Sequence, residues 1–245
     1  MRKWIILILI VLFWEGAARW IDGFWLPPAS QLARIFITRL SEPAFLTDIF
    51  LSLKRMAVGY AWIIFLGISG GFLLAKVDWV HDTLGTVIVA SQAMPGVVWV
   101  PLAAMIFGLT EAAVIFTVVL GGTGIVLVNT DSGVRNVSPI FIQAARVMGA
   151  RGWRLFWHVI VPASIPKILD GLRLAWAFGW RALMAGELII SVGGFGRRIN
   201  DVVHSGDMHE LFVLITVIGV IGYLVDQMVF KVIEKNVQRK WGLAA

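Results

Sequence analysis

Three groups of residues in this 245-residue chain have types and spacings that could do chemistry. The run DVVHSGDMHE brings Asp201, His204, Asp207, His209 and Glu210 into ten consecutive positions, a mixture of imidazole and carboxylate that could ligate a divalent metal. No two histidines stand at the i, i+4 spacing that would put both on one helix face, so the run is read as a solvated loop touching another protein, with no metal site. Arg181 comes second. It lies nine residues into the apolar stretch Leu172 to Val192, ~14 Å along a helix, where an ionisable group is costly and is either paired or functional. Glu187, six residues on, falls ~240° around that helix and cannot be a same-face partner. Arg181 therefore either pairs with an acidic side chain or carbonyl of another helix, or faces a solute path, where a guanidinium matches a planar oxyanion. The third group is Gln92, Pro95 and Pro101 within TLGTVIVASQAMPGVVWVPLAAMIF. Each proline frees a carbonyl four residues back, which makes this either a packing kink or a helix bordering a solute path.

Other chemistries have no residues to carry them. LGGTGIVL is glycine-rich but lacks the lysine of a phosphate-binding G-x-x-x-x-G-K-[ST] loop. No Ser-His-Asp set or carboxylate pair is placed by spacing, and there is no cysteine. No catalytic residue, cofactor or metal is assigned to the chain, and nucleotide hydrolysis would need another polypeptide.

The elements that must position these residues are membrane helices. Hydrophobic residues make up 59%, charged residues only 15%, and the mean hydropathy is +0.85, against a charged share of about 25% in soluble domains. Besides the N-terminal run from Trp4 to Trp14, five apolar segments occur: Ala57 to Ala75, Thr83 to Phe107, Ala112 to Asn129, Leu172 to Val192 and Leu211 to Phe230. The expectation is an all-α polytopic bundle of about six transmembrane helices, one domain over 1–245 with its core at 50–235. The N-terminal run also has the layout of a cleaved signal peptide; a first transmembrane helix is favoured because more membrane segments follow, not a secreted domain. Glu15 and Arg19 can pair across one turn, Pro27 and Pro28 break the chain, and Ser30 is a candidate cap for an amphipathic helix ending near Leu40. Gly67 and Gly71, and Gly121, Gly122 and Gly124, are explained by close helix packing. With the N-terminus in the cytoplasm, thirteen of the 21 Lys and Arg fall inside, which places both termini there. The charge of +6 belongs to membrane orientation and lipid, not to nucleic acid.

On this topology the longest inside loop runs over 131–171 and contains QAARVMGARGWRLFWHVIVPASIP. Ser138 as N-cap, Pro139 at the first position and Gly149 as stop predict a short helix, with Ala144, Ala145 and Met148 on one face. WRLFWHVIV predicts a second amphipathic helix, ended by Pro162, with Trp153, Phe156, Trp157 and Ile160 at the membrane boundary.

This loop resembles the cytoplasmic signature loop of ABC importer permeases, in which Glu-Ala-Ala is followed by Gly and then by an Ile/Val-x-Leu-Pro element. Ala144, Ala145, Gly149, Ile160 and Pro162 match, and Ala150 follows the glycine; Gln143 stands where the family usually has Glu, and Val161 where it usually has Leu. MPGVVWVPLAAMIFGLTEAAVIF and MAGELIISVGGFGRRINDVV are similar to the branch that takes up nitrate, sulfonates and taurine, and the resemblance covers most of 10–242. It implies the type I importer permease fold in a bacterial inner membrane. It further implies a second permease copy in a homodimer, a cytoplasmic ATPase dimer that uses ATP and Mg and receives the loop as a coupling helix, and an extracytoplasmic solute-binding protein. The solute would be a small anion, with bicarbonate or a pyrimidine vitamin precursor as alternatives. An ion-coupled secondary transporter would favour acidic or histidine residues within spans, and only Glu187 and Asp226 fit, both near span ends.

Overall fold

The structure is a computed structural model that describes residues 2–21 and 26–240. The C-terminal end at 241–245, expected in the cytoplasm, and the stretch 22–25 after the first expected span lie outside the described residues. All regular structure among the described residues is helical: α1 Arg2–Trp20, α2 Ala29–Leu40, α3 Pro43–Lys76, α4 Asp78–Gln92, α5 Gly96–Phe107, α6 Glu111–Arg135, α7 Pro139–Val147, α8 Gly152–Ile190, α9 Phe195–Ser205 and α10 Met208–Val237. Four of them, α3, α6, α8 and α10, are long and apolar enough to cross a bilayer, and five spans result if the bent pair α4 and α5 counts as one. The expected count of six is thus approximate. α1 is helical where the first span was expected, but its uncharged run of 11 residues from Trp4 to Trp14 is well short of the ~20 that hydrocarbon requires.

Two local expectations change for stated reasons. Ser30 does not cap α2; the cap position is Pro28, and Ser30 instead donates from its N and Oγ to Glu15 at 3.0 and 2.8 Å, while Glu15 also pairs with Arg19 at 2.7 Å. Pro162 does not end a separate amphipathic helix. The chain is helical without interruption from Gly152 to Ile190, 39 residues, because a wider π turn at Phe156–Ile160 accommodates the ring that would otherwise strike the carbonyl of His158. The loop expected over 131–171 therefore contracts to 136–151, with its first residues belonging to α6 and its last to α8.

The core is made by α6 lying between α3 and α8, and the glycines set how close they come. A Cβ on Gly67 would stand 2.6 Å from Val126 Cβ, one on Gly71 2.4 Å from Thr130 Cβ, and one on Gly122 2.4 Å from Ile63 Cδ1. At Gly67 and Gly71 the atoms met are Cβ atoms fixed to the α6 backbone, so the two helices interlock there, whereas at Gly122 it is the tip of the Ile63 side chain.

At one end of the core the bundle closes over a buried charge pair. Arg55 of α3 and Glu187 of α8 are both fully buried and joined at 2.8 Å. Glu187 also accepts from Ser52 Oγ at 2.7 Å and from the Gly196 N–H at 3.1 Å, while Arg55 donates to the carbonyls of Val192 and Gly193 and to Glu111 at 3.0 Å. Ser52 Oγ accepts in turn from the Phe195 N–H at 3.0 Å. The turn that follows α8 is built for this. Gly194 has φ +85°, and a Cβ there would lie 2.6 Å from Glu187 Oε1. Removing one member of such a pair leaves an uncompensated charge and costs about 3–5 kcal/mol, whereas replacing both by apolar groups is far milder. Arg55→Met is accordingly expected to lower the thermal midpoint in detergent sharply, and Arg55→Met/Glu187→Met to recover most of the loss; a double variant as unstable as the single one contradicts the assignment.

Candidate functional site: a cavity at a broken helix and the loop joined to it

The break between α4 and α5 borders a large cavity. Pro95 disfavours helix at Met94, takes an extended conformation itself (ψ 139°), and leaves α4 and α5 bent by 96°. The space beside this break measures 700 Å³ and is bounded by Gln92, Pro95, Trp99, Asn129, Phe178 and Arg181 among others. Three of the sequence-predicted residues, Gln92, Pro95 and Arg181, therefore meet in one place. Pro101 and Glu187 do not. Pro101 sits in the first α-helical turn of Trp99–Phe107, where a missing N–H costs nothing, and Glu187 is locked in the buried pair with Arg55.

Arg181 makes no ion pair among the described residues; its guanidinium carbon lies 5.2 Å from the centroid of the Phe178 ring, one turn earlier on α8. Gln92 donates to the carbonyl of Gly124 at 3.3 Å, which ties the end of α4 to the middle of α6, and Asn129 donates within α6 to Ile125 O at 2.8 Å. Phe178, Asn129 and Trp99 escaped the sequence reading. The i, i+3 relation of Phe178 to Arg181 was the available signal for the first, since that spacing puts the two on one helix face.

The residues expected to form the coupling loop gather elsewhere. Ser138 and Pro139 begin α7 as expected, and its end is fixed by Ala150 N–H to Ala145 O at 2.9 Å and Gly149 N–H to Arg146 O at 3.0 Å, with Gly149 at φ +85°. This is the two-bond stop that favours glycine. Gln143 and Ala144 are exposed, and Ala145 is buried against its own chain, so the two alanines do not share an outward face. The outward surface is instead apolar, with Ile140, Phe141, Val147 and Met148 at 71, 54, 88 and 81% exposure. Ala150, Ile160 and Pro162 are half-buried, the last two inside α8.

Two links tie α7 to the cavity. α8 runs without a break from Gly152 to Arg181 and beyond. On the other side of α7, the last turn of α6 grips the α3–α4 junction: Arg135 donates to Asp131 at 3.0 Å, to Asp78 at 2.9 Å and to the carbonyl of Leu74 at 3.0 Å, and His81 Nδ1 stands 3.0 Å from Asp131 Oδ2. α4 leads from that grip to Gln92 at the cavity.

The DVVHSGDMHE run is absorbed into structure. Asp207 caps α10 by accepting from the Glu210 N–H at 3.1 Å, and Glu210 is held by Arg39 at 2.6 Å and Arg198 at 2.9 Å. Arg198 also reaches Glu42 at 3.2 Å, and hydrogen bonding from Arg39 holds the Glu42 carboxyl below the ordinary carboxylate range. Among the described residues no three His, Asp or Glu side chains are grouped to hold a metal.

Comparison with known proteins gives this geometry its context. Residues 63–242 match the family described as binding-protein-dependent transport system inner membrane component. A probable ABC transporter permease of Brucella melitensis is 32% identical over 201 residues, 82% of this chain and 81% of that protein. The nitrate import permease NrtB of Synechocystis is 28% identical over 182 residues (74% of this chain, 66% of that protein), and the taurine transport permease TauC of Escherichia coli 27% identical over 225 (89% and 82%). The inward-facing structure of the MetNI methionine ABC transporter superposes with a TM-score of 0.68 over 80% of this chain and 99% of that one, at 17% identity, a likeness of fold. The chain belongs to the family of binding-protein-dependent transport inner membrane components, and is the membrane-spanning permease subunit of an ABC importer whose ATP is hydrolysed by a separate subunit.

Proposed function

We propose that this permease conducts a small anion, and that Arg181 draws the anion into the path bordered by Gln92 and Pro95. The observation that carries the reading is a guanidinium beside a 700 Å³ cavity with no carboxylate partner among the described residues. Arg181 is exposed on α8, nine residues before the helix ends at Ile190; a cation within an apolar span is costly without a counter-ion, and a passing anion supplies one. The nitrate and taurine relatives are consistent with this class. If the reading holds, Arg181→Leu abolishes uptake by the complete importer in proteoliposomes while the subunit still assembles and reaches the membrane; loss of assembly assigns Arg181 a structural role instead.

The same proposal includes the assembly. The whole chain acts as one permease domain, with both termini in the cytoplasm, which requires an even number of spans, four with the α4–α5 pair re-entrant or six with α1 also crossing, and two copies enclose the path around a two-fold axis. Residues 136–151 are the coupling element, with the exposed apolar residues of α7 set in a groove of the ATPase dimer and Gln143 offering a neutral hydrogen-bonding group at its edge. ATP and Mg act on the ATPase, and an extracytoplasmic binding protein delivers the solute. Gly149 supports the reading because its positive φ fixes the exit angle of α7, and a side chain there is strained. Gly149→Asp should leave the protein in the membrane and the ATPase active but reduce transport per ATP at least tenfold; transport at the wild-type rate in reconstituted vesicles overturns it.

A further inference from the structure

We infer that the cavity beside Arg181 selects organic anions carrying an apolar body over small inorganic ones, with Phe178 as the residue that makes the distinction. The inference rests on the anion reading of Arg181 and adds to it a solute chemistry and a filter within the permease itself. A cavity of 700 Å³ lies in the range that holds drug-sized ligands, far more than a four-atom oxyanion fills. Beyond Arg181, the polar side chains of the lining, Ser91, Gln92 and Asn129, each spend a donor on a main-chain carbonyl, that of Ile88, Gly124 and Ile125. The remaining walls are largely apolar, with Met94, Trp99, Leu120, Leu174 and Phe178 among them. A nitrate or bicarbonate at Arg181 would leave those walls facing water, whereas an alkyl or aromatic body would cover them.

The placement of Phe178 gives the site its direction. Its ring lies 5.2 Å from the Arg181 guanidinium carbon, so one side of the cation is occupied by the ring. Phe178 is itself 46% exposed and Leu174, one turn further along α8, is 49% exposed. A solute whose oxyanion head meets Arg181 has its body carried along α8 over Phe178 and toward Leu174. The site thus reads a head by charge and a body by apolar area, each from one helix face.

The experiment uses the permease–ATPase complex in nanodiscs, without the binding protein, so that selectivity outside the permease does not enter. Binding of nitrate, methanesulfonate and butanesulfonate is measured by saturation-transfer NMR with competition. Butanesulfonate is expected to bind about tenfold or more tighter than methanesulfonate, from partial burial of three further methylenes, and nitrate weakest. Phe178→Ala should remove most of that preference, Phe178→Leu should keep it, and Arg181→Gln should abolish binding of all three. Equal affinity for nitrate and butanesulfonate, both dependent on Arg181, overturns the selectivity while leaving the anion reading intact. Binding indifferent to Arg181 overturns both.

Discussion

Two full charges buried in an oily bundle hold this fold in register. Arg55 and Glu187 have no contact with solvent, and in a medium of low dielectric an ion pair survives only when the remaining hydrogen-bonding capacity is used. Here it is largely used: Glu187 takes donors from Ser52, Arg55 and the Gly196 backbone, and Arg55 reaches Glu111 and two carbonyls of the turn after α8. The same few atoms therefore fasten α3, the start of α6, the end of α8 and the entry to α9. In hydrocarbon, helices gain nothing from burying apolar surface against each other, so satisfied polar contacts and interlocked glycines decide which arrangement is unique.

That fastening gives the bundle a mechanical asymmetry. α8 is pinned at Glu187, and its opposite end at Gly152 adjoins α7, 35 residues and ~50 Å away along a helix. Arg181 lies six residues from the pin, ~9 Å. On the proposed coupling role, a displacement applied at α7 would be carried along one continuous helix and would reach the cavity close to the pivot, as a small rotation of Arg181 and Phe178. The Arg135 grip on Asp78 and Leu74 would carry the same displacement into α4, which ends at Gln92 on the other side of the cavity. Domain-scale rocking around a fixed central site is a known solution for alternating access.

Much of this was legible in the sequence because its causes are local. Pro139 and Gly149 bracket α7 by backbone preferences that hold in any context, Glu15 and Arg19 pair because they are one turn apart, and apolar length marked the long spans. What escaped depended on contacts distant in sequence. Nothing local distinguishes Arg55 from its neighbour Lys54 at the start of an apolar segment; its partner Glu187 lies 132 residues away. Pro162 was read as a stop because the sequence cannot show that a π turn precedes it. Pro95 reads as a kink or a path border within one span over 83–107; that the span divides there into two helices bent by 96° was not legible, because a proline alone does not set the size of a bend.

If α7 and the cavity wall on α8 form one rigid body, they move together when nucleotide is bound. The chain contains no cysteine, so paired spin labels can be introduced without removing anything. In the assembled importer, labels at Val147 on α7 and Ala177 on α8 should keep a constant separation within one copy when a non-hydrolysable ATP analogue is added, while the Val147 to Val147 distance between the two permease copies shortens. A separation within the copy that changes, with no change between copies, would contradict the account.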